Sequence, residues 1–220
     1  MADNRAKYGF RYYGNLSGSG RMPIQEFRIA STYSAQVASG TTDVGLYVGD
    51  VVSLLADGTV ALFADNAASE DAAPFGVIAG FSNVKFGPEN KARPSSYYPV
   101  GGVTYGDSNT ETRVQVVPFT QDIIWEVDVD DAVTATTKAA YEALIGENTV
   151  IAAYVPDTAD SNKPKANPKI DISVNTTTVD DFRIWGISKT QDNVDFSGAN
   201  VKILVIASDV RMPFNTQTGF

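Results

Sequence analysis

Short apolar segments separated by turn residues dominate the chain from about residue 50 onward. The clearest is residues 51–63 (VVSLLADGTVALF), in which Asp57-Gly58 interrupts two apolar runs. Because Asp and Gly tolerate the positive φ angles of a type I′ turn, this pattern predicts a β-hairpin with a two-residue loop. Pairing about that loop sets Leu55 opposite Val60. Both faces of the hairpin are then mostly apolar, which is typical of strands covered on two sides.

Further segments of strand length follow at intervals marked by turn residues. They are residues 77–81, 97–105, 112–119, 123–129, 149–155, 170–175, 182–188 and 201–207. Only residues 137–145 have helical spacing, and Gly146 is a plausible stop. Many short strands with a single helix predict an all-β protein, with a β-barrel or β-sandwich body and at most one short helix.

The 220 residues suit one large domain or two small ones. We expect one β-rich body over residues 41–220, because strands from both halves are needed to close a sheet. The alternative is a second boundary within residues 157–168 (DTADSNKPKANP), a polar stretch with two prolines. Residues 1–40 are set apart by composition and predict an extended N-terminal arm.

This N-terminal segment is basic and aromatic, with Gly and Ser over residues 14–20. Its charged residues sum to +3, which leaves −12 for residues 41–220. A basic arm on an acidic body predicts docking onto a partner, and Arg and aromatic residues are common interface anchors. The alternative is that the segment packs on its own acidic body. The predicted partner-binding residues are Tyr8, Phe10, Arg11, Tyr12, Tyr13, Arg21, Phe27 and Arg28.

Composition excludes several kinds of chemistry. The chain has no Cys and no His, so disulfides, thiolate nucleophiles, Cys/His zinc sites and Ser-His-Asp triads are ruled out. A net charge of −9 disfavours binding to nucleic acid. We find no targeting signal and no apolar stretch that could span a membrane, and expect a protein made in the cytoplasm.

One cluster of carboxylates stands out in the segment IWEVDVDDA. Glu126, Asp128 and Asp130 are spaced two residues apart, which puts them on one face of a strand. Such a row could bind Ca²⁺ or act as an acid–base pair. The simpler interpretation, which we favour, is a solvated strand face that guards against edge pairing.

Several turns and strands together resemble the capsid decoration, or cement, proteins of tailed bacteriophages. The first set is Gly49-Asp50-Val51-Val52, Asp57-Gly58-Thr59-Val60 and Pro74-Phe75-Gly76-Val77-Ile78. Residues 114–119, 123–129, 182–186, 191–193 and 201–206 resemble the later strands of phage head structural proteins. The resemblance is a pattern of turns and strands and contains no catalytic signature.

The resemblance implies a non-enzymatic β subunit on the capsid exterior of a virion, made in the host bacterial cytoplasm. Such proteins bind the major capsid protein, often as a homotrimer, and stabilise contacts between neighbouring shell subunits. The family supplies no catalytic residue, metal or cofactor, and implies no nucleic-acid or membrane partner. It also implies that an N-terminal extension such as residues 1–40 reaches across capsid subunits.

Three other hypotheses remain open from the sequence. The first is a carbohydrate- or receptor-binding β module of a phage head or tail, for which Trp125, Trp185 and Tyr97-Tyr98 would form an aromatic platform. The second is a hydrolase that uses the carboxylates at residues 126, 128 and 130 in a concave pocket. The third is a shell-building major capsid protein, although the chain is short and lacks a long helix.

Overall fold

A computed structural model describes residues 9–18, 20–29, 46–63, 74–86, 91–95, 97–98, 113–130, 135–152, 168–176, 181–190, 193, 195–197 and 201–208. The strands are β1 (Arg11–Asn15), β2 (Gln25–Ile29), β3 (Leu46–Tyr47), β4 (Val51–Leu54), β5 (Thr59–Leu62), β6 (Gly76–Phe86), β7 (Lys91–Ser95), β8 (Tyr97–Tyr98), β9 (Arg113–Pro118), β10 (Ile123–Asp128), β11 (Asn148–Ile151), β12 (Ile170–Thr176), β13 (Phe182–Ile187) and β14 (Lys202–Ala207). One helix, α1 (Lys138–Ala143), lies among them. The predicted all-β class with a single short helix is confirmed.

Five strands pair into a closed ring, which we call the barrel. The order is β4-β5-β2-β9-β6, and pairing of β6 with β4 closes it, while β7 continues from the far half of β6. Only β2 and β5 run parallel in this ring. Closure satisfies the backbone groups that an open sheet would leave at its edges.

The barrel interior is filled by aliphatic and aromatic side chains. Val52, Val60, Ile78 and Val116 are fully buried there and form one apolar cluster. Each belongs to a different strand whose neighbouring residues point the other way, as the two-residue period of a strand requires. The small barrel is therefore a packed core.

The remaining large element is an antiparallel sheet in the order β1-β10-β14-β13-β11-β12. The edge strand β12 also contacts the opposite end of the sheet, because Ile170 at its start forms a β-bridge with Val129, just after β10. The backbone N–H of Asp130 donates to the Ile170 carbonyl at 3.0 Å at the same place. The sheet is thus strongly curled around its own apolar face.

The two sheets share one core. Val51, Val77 and Val117 point outward from the barrel and belong to the same buried cluster as Trp125 and Phe182 of the antiparallel sheet. Phe119, in the connection from β9 to β10, packs edge-on to both of these rings. The prediction of one β body is consistent with this continuous packing; the alternative boundary at 157–168 lies outside the described residues.

The hairpin at residues 51–63 forms, but its predicted register is wrong by one residue. Leu54, rather than Leu55, lies opposite Val60. The loop has three residues because Gly58, at φ +76°, donates to the Leu55 carbonyl at 2.9 Å, and Leu55 N–H donates to the Thr59 carbonyl. A turn followed by a left-handed Gly gives a bulged three-residue loop, which shifts the pairing.

The helix lies inside the predicted residues 137–145. Thr137 caps it by accepting a hydrogen bond from the Ala140 N–H at 3.3 Å, and Tyr141 is buried against the core. Within the described residues, no helix is long and apolar enough to cross a membrane.

The predicted extended arm is wrong for residues 9–29, which belong to the body. β1 pairs with β10 at one edge of the antiparallel sheet, and β2 is a strand of the barrel wall, paired with β5 and β9. The backbone hydrogen bonds and apolar contacts available in the sheets outweigh the Gly- and Ser-rich composition of residues 14–20. The boundary at residue 40 lies outside the described residues.

Candidate functional site

The carboxylate row of β10 lies on the face of the antiparallel sheet that points away from the shared core. Glu126 and Asp128 share this face, as predicted, but each is only 3% exposed, so the prediction of a solvated face is wrong. Arg11 of β1 lies directly opposite Glu126 and donates to it. Lys202 of β14 lies directly opposite Asp128, with its Nζ 3.6 Å from Oδ1. The acids are buried because each is neutralised by a cross-strand base.

A hydrogen-bonded loop follows β13 beside these ion pairs. The Ser188 hydroxyl donates to Glu126. The Asn193 amide donates to the carbonyls of Ser188 and Lys202 at 2.8 and 2.9 Å, and its oxygen accepts from Lys202 N–H at 2.9 Å. Three bonds from one buried side chain fix this loop against the sheet.

This loop, α1 and the outer face of the sheet enclose an open groove of about 800 Å³. Leu204 of β14 and Gly186 of β13 lie on its sheet side, Lys138 and Glu142 on its helix side, and Lys189 in the loop. Further lining residues are Tyr13, Ile145, Trp185, Ile187, Ser188, Thr190, Asn193 and Phe196. The volume is in the usual range for a small-molecule site.

The groove contains exposed apolar side chains. Trp185 is 47% exposed although it lies within β13, because it alternates with Phe182 and Ile184, whose side chains point into the core. Tyr13 and Ile145, which also line the groove, are 47% and 48% exposed. The strand pattern did not predict this groove, although Trp185 was named as part of an aromatic platform.

A second apolar surface lies in the connection from β1 to β2. More than two fifths of the surface of each of Leu16, Met22 and Ile24 is exposed there. We call these three side chains, together with Tyr13, the linker patch. In the part of the chain that the structure describes, seven large apolar side chains are exposed, and four of them belong to this patch.

Hydrogen bonds to Asp122 hold the start of this connection in place. Leu16 N–H donates to the Asp122 carbonyl at 2.8 Å, and the backbone and hydroxyl of Ser17 both donate to its carboxylate at 2.8 Å. The Asn15 amide adds a bond of 3.1 Å to the same carboxylate. The hydrogen bond from the Ser17 hydroxyl lowers the pKa of Asp122, and the bond from the Ser17 backbone N–H lowers it further. The patch is thus presented on an ordered turn.

Four of the eight predicted partner-binding residues, Phe10, Arg11, Tyr12 and Phe27, contact the protein's own body. Phe10 is 3% exposed and packs on Phe119 and Phe182, and Phe27 packs edge-on to Phe75. Tyr12 packs on Trp125. Burial therefore corrects the prediction for Phe10, whose ring completes the shared core.

The other predicted anchors have different positions. Arg11 is half exposed and bound to Glu126, whereas Arg21 and Arg28 are exposed. Tyr13 is exposed in both the groove and the linker patch. Tyr8 lies outside the described residues.

The aromatic platform predicted for a ligand-binding module is reduced to Trp185. Trp125 is 1% exposed in the core, and Tyr98 is buried beside Phe81. The side chain of Tyr97 is outside the described part of the chain. Neither Glu126 nor Asp128 lines the groove, so these carboxylates have no access to a ligand bound there.

Among the described residues, no group of three or more acidic side chains is arranged to hold a metal ion. Comparison with known proteins adds no relative: the chain matches no family model, no curated protein and no solved structure.

Proposed function

We propose that this protein is a non-enzymatic capsid decoration protein that binds the outer surface of an assembled phage head and stabilises contacts between major capsid subunits. The observation that carries the proposal is the linker patch: of the seven large apolar side chains exposed among the described residues, four lie within residues 13–24. Exposed apolar side chains concentrated in one segment favour an interaction site on a soluble protein.

The way the patch is held supports a role in binding. Asp122 fixes one end of the connection, and β2, embedded in the barrel, fixes the other. Because described residues at both ends of the connection are held in place before a partner arrives, less conformational entropy is lost on binding. The N-terminal segment therefore contributes anchors from an ordered turn, and the attachment residues we propose are Tyr13, Leu16, Arg21, Met22 and Ile24.

The energy available from such a patch fits a cement function. Covering Leu16, Met22 and Ile24, each about half exposed, contributes on the order of 3 kcal/mol. This corresponds to about a hundredfold in affinity for each copy. Since the protein would bind only the assembled shell, mass action stabilises that state. A homotrimer, the form implied by the resemblance, would multiply the gain through avidity.

The direct test uses purified, pre-assembled phage heads that lack their decoration protein. We expect the wild-type chain to co-sediment with the heads and to raise their disruption temperature. The triple variant Leu16→Ser/Met22→Ser/Ile24→Ser should bind about a hundredfold more weakly. Val48→Ser, which changes an exposed apolar residue outside the patch, is the matched control.

Two outcomes would contradict the proposal. One is wild-type protein that leaves the disruption temperature of the heads unchanged. The other is a folded triple variant that binds heads as tightly as Val48→Ser does. Light scattering of the free protein separately tests the homotrimer.

A further inference from the structure

We propose that the groove between α1 and the outer face of the antiparallel sheet is a binding site for an acidic oligosaccharide, with a sugar ring against Trp185 and a carboxylate at Lys189. This site goes beyond the attachment function and shares only Tyr13 with the linker patch. It would let a particle-bound protein contact a glycan surface.

The first argument is the mixture of surfaces in the groove. A pyranose ring has an apolar C–H face and a polar rim, so its sites combine an exposed aromatic ring with hydrogen-bonding groups. Trp185 supplies a half-exposed indole ring. Thr190 and Lys189 lie on the same wall and carry polar groups. Large apolar surfaces with a few convergent polar groups are typical of small-ligand sites.

The second argument is local charge. Among the described residues that line the groove, the charged ones are Lys138, Glu142 and Lys189, which sum to +1 on a chain whose net charge is −9. Lys138 is 3.2 Å from Glu142 and is thus paired on its own helix. Within the described residues Lys189 has no ion pair and is exposed, so its ammonium can meet a ligand carboxylate.

The third argument is rigidity. The Asn193 amide donates to the carbonyl of Ser188, which precedes Lys189, and to that of Lys202 in β14. The Gly146 N–H donates to the Ile184 carbonyl at 2.9 Å, which ties the residues after α1 to β13. The ring of Tyr141 in α1 packs on the ring of Phe196, which lines the groove. Both walls are therefore shaped before a ligand arrives, which lowers the entropic cost of binding.

Other occupants fit less well. A peptide that adds a strand needs unpaired backbone groups at a sheet edge, but β13 and β14, which contribute Trp185 and Leu204, both lie inside the sheet. A nucleic acid would present many phosphates to an acidic chain with one available lysine in the groove. A saccharide with one carboxylate per repeat matches one aromatic ring and one cation.

Tryptophan fluorescence gives a selective assay. The chain has two tryptophans, and because Trp125 is 1% exposed, quenching or a shift on ligand addition reports Trp185. The acidic probe is a tetrasaccharide of alternating glucuronic acid and N-acetylglucosamine. The neutral probe is the N-acetylglucosamine tetramer. We expect submillimolar binding of the acidic probe and at least about tenfold weaker binding of the neutral one.

Variants assign the contacts. Trp185→Ala, followed by calorimetry, should lose at least about tenfold in affinity for the acidic probe, whereas Trp185→Phe should retain part of it. Lys189→Gln should remove the preference for the acidic probe, and Lys189→Arg should restore it. Circular dichroism checks that each variant is folded.

The proposal is overturned if the acidic probe does not bind at about 10 mM, if Trp185→Ala binds it as wild type does, or if the neutral probe binds equally well. The Leu16→Ser/Met22→Ser/Ile24→Ser variant should keep its saccharide affinity. Head binding and saccharide binding can therefore fail independently.

Discussion

A buried carboxyl group at the turn between β3 and β4 makes stability depend on pH. Asp50 is fully buried, and one carboxylate oxygen accepts the Tyr47 N–H at 2.8 Å. The other oxygen has no hydrogen-bond partner within the described residues. Burial raises the pKa of Asp50 to about 8, and the bond from Tyr47 offsets only part of this rise. The folded protein therefore holds this group protonated near neutrality.

The sign of the effect follows from the two pKa values of Asp50, 3.8 in the unfolded chain and about 8 in the folded protein. Between these values the folded state binds the extra proton, so the free energy of unfolding falls as pH rises. Well below pH 8 each pH unit lowers the free energy of unfolding by about 1.4 kcal/mol; because Asp50 is half ionised at pH 8, the total between pH 6 and pH 8 is about 2 kcal/mol. For a chain of this size the melting temperature should fall by about 4–8 °C, and level off above pH 8.

The assay is thermal or urea unfolding at pH 6, 7, 8 and 9, and its background is low. Because the chain has no His and no Cys, no other side-chain type ordinarily titrates between pH 6 and 8. Asp50→Asn keeps the shape and an acceptor for Tyr47, and its stability should be nearly flat over this range. Asp57→Asn, which changes an exposed carboxylate, should retain the wild-type slope.

Parallel curves for wild type and Asp50→Asn would refute the reasoning, since the slope would then not come from Asp50. A slope of the opposite sign in wild type would refute it as well. Either result would mean that the carboxyl group is ionised when folded, through contact with water or a cation.

Three further predictions concern other parts of the body. Arg11→Gln should lower the free energy of unfolding by about 2 kcal/mol in urea titrations, because Glu126 then stays buried without its base. The control Arg28→Gln, at an exposed position, should lower the free energy of unfolding by less than about 0.5 kcal/mol. Gly76→Ala should lower the free energy of unfolding by about 3 kcal/mol in the same measurement, because the added Cβ would lie 2.6 Å from the Val117 carbonyl oxygen. Gly14→Ala, which has open space around it, should be tolerated. Equal losses of stability would contradict the packing of β6 on β9. Asp122→Ala should speed tryptic cleavage at Arg21 several-fold with little change in melting temperature, because the hydrogen bonds from Ser17 to the Asp122 carboxylate are lost. Unchanged cleavage would show that these hydrogen bonds do not order the turn.

The sequence predicted the strands whose signal is local. Apolar residues at period two, bounded by turn residues, located β9, β10, β13 and β14 to within about a residue or two. The register of the β4–β5 hairpin was missed because Asp-Gly suits two loop lengths, and the choice depends on how the whole barrel packs.

The N-terminal strands were missed for a different reason. Phe10 and Tyr12, like Phe27 and Ile29, alternate with polar residues, which is a strand signal. Their basic and aromatic composition was interpreted instead as a set of exposed anchors. What decides between the two is the availability of β10 and β9 as pairing partners, and these lie about 85 to 115 residues further along the chain.

The surroundings of the predicted functional residues depend partly on contacts that no local pattern encodes. The period of Glu126 and Asp128 was visible, but their burial required Arg11 and Lys202 to arrive opposite them from distant strands. The signal that could have indicated this is Lys202 itself, a base within an otherwise apolar strand. The exposure of Trp185 did have a local signal, because Trp185 alternates with Phe182 and Ile184, which face the core.

The order of the antiparallel sheet also determines how the molecule responds to tension. β1 and β14 flank β10 and run antiparallel to it, so they point in the same direction. A force that enters the chain before β1 and leaves it after β14 pulls the two strands past β10 lengthwise. The ladders on both sides of β10 must then slide apart with all their hydrogen bonds sharing the load, whereas a hairpin pulled open from one end loses its bonds one at a time. A tensile force applied along the chain is therefore resisted by shear between β1, β10 and β14.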